Sequence, residues 1–127
     1  MNRQEFESYV KEEYGELPEY LFGDSPDCAV YRHHGNRKWF CIIMSVSRRR
    51  LGINSDELTD IVNLKCSQEI ISDIVRENGI FPAYHMNKNH WISVLLDGSV
   101  DGGTVRWLTK MSFELTDKKI RIKGKMN

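Results

Sequence analysis

One short stretch of the chain, PAYHMNKNHWISV from Pro82 to Val94, concentrates side chains that can do chemistry. It holds two histidines, a lysine and two asparagines together with a tyrosine, a methionine and a tryptophan. Such a mixture is compatible with a metal site, a catalytic corner, a nucleic-acid contact or the tip of a hairpin. The elements around the stretch must decide among these four.

Metal binding depends on how the two histidines of this stretch are placed. If Asn87-Lys88 forms a two-residue turn, His85 and His90 lie opposite each other on adjacent strands. A closed zinc site needs four ligands, usually with Cys among them. The possible additional ligands are His33, His34 and Cys66, and their positions match no familiar spacing of zinc ligands. We therefore expect no metal and no cofactor.

Catalytic motifs are equally weak. The three cysteines are widely spaced and lie in or beside apolar strand patterns, where a thiol is usually an inert core residue: Cys28, Cys41 and Cys66. There is no pair of carboxylates with catalytic spacing, no G-x-S-x-G elbow and no glycine-rich phosphate loop. Gly102-Gly103 at a helix start is typical of a loose helix end, although such a position can receive an anion. The prediction is a protein that is not an enzyme.

Length and composition predict a single domain. The chain has 127 residues, of which 40% are hydrophobic and 28% charged, as in a soluble globular protein. No apolar run approaches the roughly 20 residues that span a bilayer, and the charged N-terminus lacks the apolar centre of a signal peptide. We expect one domain over residues 1–127, in the cytoplasm, with no membrane association, and a monomer.

The formal net charge is zero, but the charges are unevenly distributed. Residues 1–27 hold eight acids and two bases, whereas residues 28–51 hold six bases and no acid. The segment 52–116 is mildly acidic, and the C-terminal segment 117–127 forms a basic tail with five bases and one acid. Two basic blocks in a neutral chain can still present a local positive field to a polyanion.

The hydrophobic periodicity predicts an α+β domain with the element order α-β-β-β-α-β-β-α. Helices are expected after Asn2, after Ser67 and before Thr116, from capping residues and apolar spacing. Strands are expected at Ala29–Tyr31, Trp39–Val46, DIVNLKCS, FPAYHM and HWISVLLDG, the first two joined by a turn at Gly35-Asn36. The expected architecture has two layers, an antiparallel sheet with helices packed on it.

Two hairpin tips and one connection carry the candidate nucleic-acid contacts. Lysine and arginine suit phosphates, and asparagine suits base edges. The candidates are Arg37 and Lys38 at the first tip, Asn87, Lys88 and Asn89 at the second, and Arg48, Arg49 and Arg50 just beyond the second strand. Tyr84 and Trp91 can stack on exposed bases, but aromatic residues beside a turn usually pack across the strands.

Four stretches together resemble the MmcQ/YjbR family of small bacterial proteins: LFGDSPDCAVYRHHGNRKWFCII, VNLKC, PAYHMNKNHWISVLLDGSV and LTKMSFELT. The similarity runs from about residue 16 to residue 116, and the Y-H-M-N-K-x-H-W block is its most specific part. The resemblance implies a CyaY-like fold similar to that of secretion chaperones, and a DNA-binding role through a double-wing motif.

The family pattern also marks individual positions without assigning their roles. They are Lys65, Tyr84, His85, Met86, Asn87, Lys88, His90 and Trp91. In our interpretation Asn87 and Asn89 contact base edges or sugars, and His85 and His90 shape the tip. The side chains expected to contact phosphates are Lys88, Arg37, Lys38 and Arg48 to Arg50. Lys65, next to an apolar Leu64, is also compatible with a structural ion pair.

Two main functions remain open from the sequence, with a small-molecule or metal pocket beside His85 and His90 as a smaller third alternative. The first is a domain that contacts the phosphate backbone of double-stranded DNA through two basic hairpin wings. The second is a protein-binding module that uses a sheet face or the acidic first helix. The DNA hypothesis requires the basic side chains of separate loops to lie on one side of the folded molecule.

Overall fold

The computed structural model describes residues 1–117, so the basic tail predicted at 117–127 lies outside the described residues except for Asp117. The element order α-β-β-β-α-β-β-α is confirmed. The elements are α1 (Arg3–Tyr14), β1 (Ala29–Arg32), β2 (Trp39–Ser47), a 3-10 turn (Arg48–Leu51), β3 (Leu58–Lys65), α2 (Gln68–Ile74), β4 (Ile80–Pro82), β5 (Trp91–Leu95) and α3 (Gly102–Thr116).

The helices begin where their capping residues predict. The Asn2 side chain accepts a hydrogen bond from the Glu5 backbone N–H, and the Glu5 carboxylate accepts one from the Asn2 N–H, which makes a capping box for α1. Ser67 and Asp101 cap α2 and α3 in the same way with a single side-chain oxygen. Local chemistry therefore sets where each helix starts.

The five strands form one antiparallel sheet in the order β1-β2-β3-β5-β4. Its register fixes which loops are neighbours. Arg32 pairs with Trp39 and Lys65 pairs with Trp91, so the β1–β2 turn, the end of β3 and the β4–β5 loop share one end of the sheet, which we call the hairpin-tip end. Ser47 pairs with Leu58 at the opposite end.

The two faces of the sheet differ in what covers them. Val62 and Leu64 point into the main core, which also contains Phe6 and Val10 of α1 and Leu108 of α3. The alternate side chains of β3, including Ile61, point to the other face, as the period of two requires. Apart from the 3-10 turn, the described helices pack on the first face, and we call the second one the open face. Within residues 1–117 no helix is both long and apolar enough to cross a bilayer.

The first hairpin tip is tied to the end of α3. The His33 imidazole is 3% exposed, and its Nε2 lies 2.7 Å from the Thr116 hydroxyl. Its ring lies 4.2 Å from the Phe113 ring and its Nδ1 lies 3.5 Å from Asp117. Burial lowers the pKa of His33, although the Asp117 carboxylate opposes that shift. This histidine is therefore a structural part of the tip.

Both hairpins differ in detail from the sequence prediction. The positive φ of the first turn is at Arg37, with φ 66°, not at Gly35-Asn36. The strand expected at FPAYHM is wrong beyond Pro82, because β4 ends there and residues 83–90 form a loop. Proline has no N–H for a sheet ladder, so it is tolerated here only because β4 is an edge strand.

Candidate functional site

The family block from Tyr84 to Met86 lies across the open face of the sheet. The Tyr84 side chain packs on a small cluster formed by Val46, Ile61 and Leu95. Met86 packs on a second cluster, formed by Cys28, Val30 and Ile42. Because Val30 belongs to β1, at the far edge of the sheet from β4, the segment runs over the sheet and does not simply project from it.

A buried polar network holds this segment in place. Asn63 of β3 and Ser93 of β5 are both fully buried, on the open face. The Asn63 amide donates to the Tyr84 carbonyl at 3.0 Å, and the Tyr84 N–H donates to the Ser93 hydroxyl at 2.9 Å. The Ser93 hydroxyl in turn donates to the Asn63 side-chain oxygen. The side chains of Asn63 and Ser93 and the backbone groups of Tyr84 thus satisfy one another, as burial requires.

The rest of the block forms a turn that returns to β5. The backbone N–H groups of His90 and Trp91 donate to the Asn87 carbonyl, and the Lys88 ammonium donates to the Ala83 carbonyl at 2.8 Å. His85 has a φ of 60°, and its ring lies against the Tyr84 ring at a tilt of 38°, with 3.9 Å between ring centroids. The cross-strand pairing of His85 with His90 is therefore wrong. Among residues 1–117 no three His, Cys, Asp or Glu residues lie close enough together to hold a metal ion.

The block forms one wall of an apolar groove with a volume of about 780 Å³. Strand β2 supplies the floor, with Trp39, Ile42, Met44 and Val46. The loop of residues 21–28 supplies the opposite wall, where the Phe22 ring meets Trp39 edge-to-face at 6.1 Å. Three large apolar side chains of the groove are strongly exposed: Leu21 at 42%, Phe22 at 42% and Leu58 at 73%.

Three charged side chains line the groove without an ion-pair partner among the described residues. Asp24 and Asp27 are exposed on the loop wall, and their carboxylates have no hydrogen-bond or ion-pair partner among the described residues. Arg50 also lines the groove, without an ion pair in the described part of the chain. The site thus combines an apolar floor with a few free charges at its rim, which is the usual composition of a binding cleft.

The hairpin-tip end brings together several predicted cations. The side chains of Lys38 and Lys65 have no ion-pair partner within residues 1–117, and Lys88 is exposed beside the Ala83 carbonyl that it contacts. Arg37 is 61% exposed but lies 3.6 Å from Glu19, which also pairs with Arg32 at 3.1 Å. Asn87 and Asn89 are exposed on the neighbouring loop. His90 and Trp91 lie at the same end, half-buried.

The arginine triplet lies at the opposite end of β2. Arg48 pairs with Asp97 at 3.0 Å, and Arg49 pairs with Asp56 at 2.6 Å. Burial raises the pKa of Asp97, but hydrogen bonds from Ser99 and Arg48 outweigh it and leave the pKa below its ordinary value. The requirement that all the basic loops share one side is not met, because β2 separates Arg48, Arg49 and Arg50 from the hairpin tips.

The loop wall and the polar network were not predicted from the sequence. The Gly-, Pro- and Asp-rich residues 15–27 predict a connection, yet the two adjacent large apolar residues in it, Leu21 and Phe22, indicate a contact surface. A polar Asn63 in the middle of an otherwise apolar strand was the sign of a buried hydrogen-bond network. Both signals are visible in the sequence, but their meeting on one face is not.

Three helices on one face of a five-stranded antiparallel sheet, with a motif loop folded over the other face, define a small class of α+β domain. Within that class, the chain matches the YjbR family over residues 12–115, and it belongs to that family. This confirms the resemblance stated from the sequence.

Relatives support the same assignment. The uncharacterized protein YyaQ of Bacillus subtilis (strain 168) is 39% identical over 116 residues, covering 91% of this chain and 98% of YyaQ. A crystal structure of a Pseudomonas syringae protein is similar with a TM-score of 0.89 and 40% identity, over 91% of this chain and 99% of that one. The Deinococcus radiodurans protein DR2400 has a TM-score of 0.70 at 25% identity, over 96% of this chain and 83% of that one.

Proposed function

We propose that this chain is a protein-binding module whose partner docks in the groove on the open face. The observation that supports it is a long apolar cleft with Leu21, Phe22 and Leu58 exposed at its rim. Isolated exposed apolar residues are ordinary, but a contiguous apolar cleft is typical of an interaction site. The buried network of Asn63 and Ser93 supports the same reading, because it fixes one wall of the cleft in advance of binding.

The test is a pull-down with the full-length chain and groove variants. Phe22→Lys and Leu58→Lys place a charge on the apolar rim, and each should abolish capture of any partner. Trp107→Lys is the matched control, because Trp107 is 50% exposed on α3 and does not line the groove. A capture that survives both rim variants, or is lost equally in the control, contradicts the proposal.

A second function, contact with the phosphate backbone of double-stranded DNA, is favoured by one separate observation. The two hairpin tips share one end of the sheet and bring Lys38, Lys65 and Lys88 to it, and none of the three has a carboxylate partner within residues 1–117. With Arg37 this makes about four phosphate contacts, with Asn87 and Asn89 next to them for base edges. The acids Glu16 and Glu19 lie at the same end and limit the strength of this field.

Salt dependence tests the DNA reading. About four released counterions give a slope near −3.6 in log affinity against log salt, or on the order of 100-fold weaker binding at 200 mM than at 50 mM salt. Lys38→Ala with Lys88→Ala should flatten the slope by about two. The triple change Arg48→Ala, Arg49→Ala and Arg50→Ala is the control from the opposite end and should leave it unchanged. Equal flattening by both sets refutes a footprint at the hairpin tips.

A further inference from the structure

The groove is long and chemically uneven, and these properties select among protein partners. We propose that its occupant is an amphipathic α-helix with basic residues along one flank. This inference rests on the proposed protein-binding function and adds the conformation and charge of the partner.

The length of the groove excludes a very short contact. Its lining follows β2 from Trp39 to Ser47, which is eight steps of about 3.4 Å, or roughly 27 Å. At about 1.5 Å per residue this length corresponds to an α-helix of roughly 18 residues, or five turns. A helix of that size presents apolar side chains at i, i+3, i+4 and i+7 along one stripe.

The position of β2 in the sheet favours a helix over an extended segment. Because β2 pairs with both β1 and β3, its backbone groups are already hydrogen-bonded, and the groove offers side chains only. An extended segment lying on this face would leave its own N–H and C=O groups without partners, whereas a helix satisfies them internally. Strand addition at an edge is also restricted, since Glu19 already pairs with Val30 beside β1 and β4 has only three residues.

The floor of the groove suits the irregular surface of a helix. Met44 and Met86 are partly buried on the two small clusters of the open face, and methionine adapts its shape to different partners. On the opposite face of the same sheet, α1 and α3 pack on the strands in the equivalent way. A helix in the groove would complete a third layer and cover the exposed Phe22 and Leu58.

The charges at the rim specify the flank of that helix. The carboxylates of Asp24 and Asp27 stand on the loop wall with no hydrogen-bond or ion-pair partner among the described residues, whereas the Asp27 backbone carbonyl accepts a hydrogen bond from the Arg3 guanidinium. The other titratable groups in the lining are Arg50, Tyr84, His85 and the buried Cys28. Because the Asp24 and Asp27 carboxylates lie on the same wall, basic residues on one side of the helix would form ion pairs with them. Arg50 would pair with an acidic residue near one end of the helix.

Two synthetic 18-residue peptides test this inference by fluorescence anisotropy with the full-length chain. Both carry leucine at the apolar stripe; one has lysine and the other glutamate at its polar positions. We expect the lysine peptide to bind about tenfold more tightly, the ratio expected of two exposed ion pairs. The double change Asp24→Asn and Asp27→Asn should remove that preference. Glu12→Gln with Glu13→Gln is the control, because these exposed acids lie on α1 and outside the groove.

Each outcome has a distinct meaning. If both peptides bind equally and Met44→Lys blocks both, the groove binds helices but the basic flank is wrong. If a proline-containing version of the lysine peptide binds as tightly, the helical conformation is wrong. If neither peptide binds while Phe22→Lys still abolishes partner capture, this inference fails and the proposed function stands. If neither peptide binds and no capture depends on the rim, both fail.

Discussion

Replacing Asn63 by alanine should destabilise the fold and loosen one wall of the groove. The Asn63 side chain is fully buried, donates to the Tyr84 carbonyl at 3.0 Å and accepts from the Ser93 hydroxyl. The substitution removes both hydrogen bonds and leaves their partners at a site closed to water. A buried polar group without a partner costs more than the bond it lost was worth.

The magnitude follows from these two contacts. Two lost hydrogen bonds contribute about 1 kcal/mol each, and the stranded carbonyl and hydroxyl raise the total to about 2–4 kcal/mol. For a domain of 127 residues, a loss of 1 kcal/mol in the free energy of unfolding lowers Tm by about 4 °C, so Asn63→Ala should lower Tm by about 8–16 °C. The segment from Tyr84 to Met86 should also lose protection of its amide hydrogens, because Asn63 and Ser93 anchor it.

Thermal unfolding followed by circular dichroism measures the first effect and hydrogen exchange the second. Asn78→Ala is the matched control, because Asn78 is exposed and its side chain has no hydrogen-bond partner among the described residues. Combining Asn63→Ala with Ser93→Ala should give a coupling energy between about 0.5 and 3 kcal/mol. A loss of stability equal to that of the control, or strict additivity with Ser93→Ala, would refute the network as the anchor of this wall.

Three further predictions concern stability and reactivity. Burial lowers the pKa of His33, so the unfolded chain binds a proton at this histidine more readily than the folded chain does. The resulting contribution to folding stability is fully present above the unfolded pKa of about 6.5 and is lost as the pH falls through the lower folded pKa. In unfolding curves measured from about pH 7 to 5, His33→Gln should therefore reduce the loss of stability, whereas His34→Gln should not. In chemical denaturation, Gly79→Ala should lower the free energy of unfolding more than Gly98→Ala does. Both glycines have a positive φ, but of the two only a Cβ added at Gly79 would clash, with Val100 Cγ2 at 2.6 Å. Burial raises the pKa of the Cys41 thiol, and Cys28 and Cys66 are each 2% exposed. An aromatic disulfide reagent should therefore label the three thiols of the native protein only as fast as the protein unfolds locally or globally, and rapid labelling would contradict their burial.

Local patterns in the sequence were sufficient for the order of elements. The cap at Asn2 and the alternation of Ile61 and Asn63 against Val62 and Leu64 depend on neighbours in the chain, and both are present in the structure. The boundaries that failed depend on distant neighbours. Tyr84 and His85 continue an apolar pattern that favours a strand, but hydrogen bonds from Asn63 and Ser93 draw the backbone over the sheet instead.

The distribution of charge shows the same division between local and distant information. The sequence places Arg37, Lys38 and the triplet from Arg48 to Arg50 in one basic block, which suggests a single positive patch. Nine residues of β2 separate them in space, and two of the triplet are paired with carboxylates: Arg48 with Asp97, 49 residues away in the chain, and Arg49 with the nearby Asp56. Arg50, which has no such partner in the part of the chain that the structure describes, lines the groove.

These placements change which function the family block supports. As a hairpin tip, the family block would present Asn87, Lys88 and Asn89 to a polyanion. In the structure its first half, from Tyr84 to Met86, lies over the sheet and forms a wall that a partner in the groove would contact. A duplex would meet only the turn, whereas a helix in the groove would meet the segment from Tyr84 to Met86. The two surfaces are adjacent but separate, so Phe22→Lys and Lys88→Ala should impair different interactions. A single partner sensitive to both would instead require one continuous interface from the groove to the hairpin-tip end.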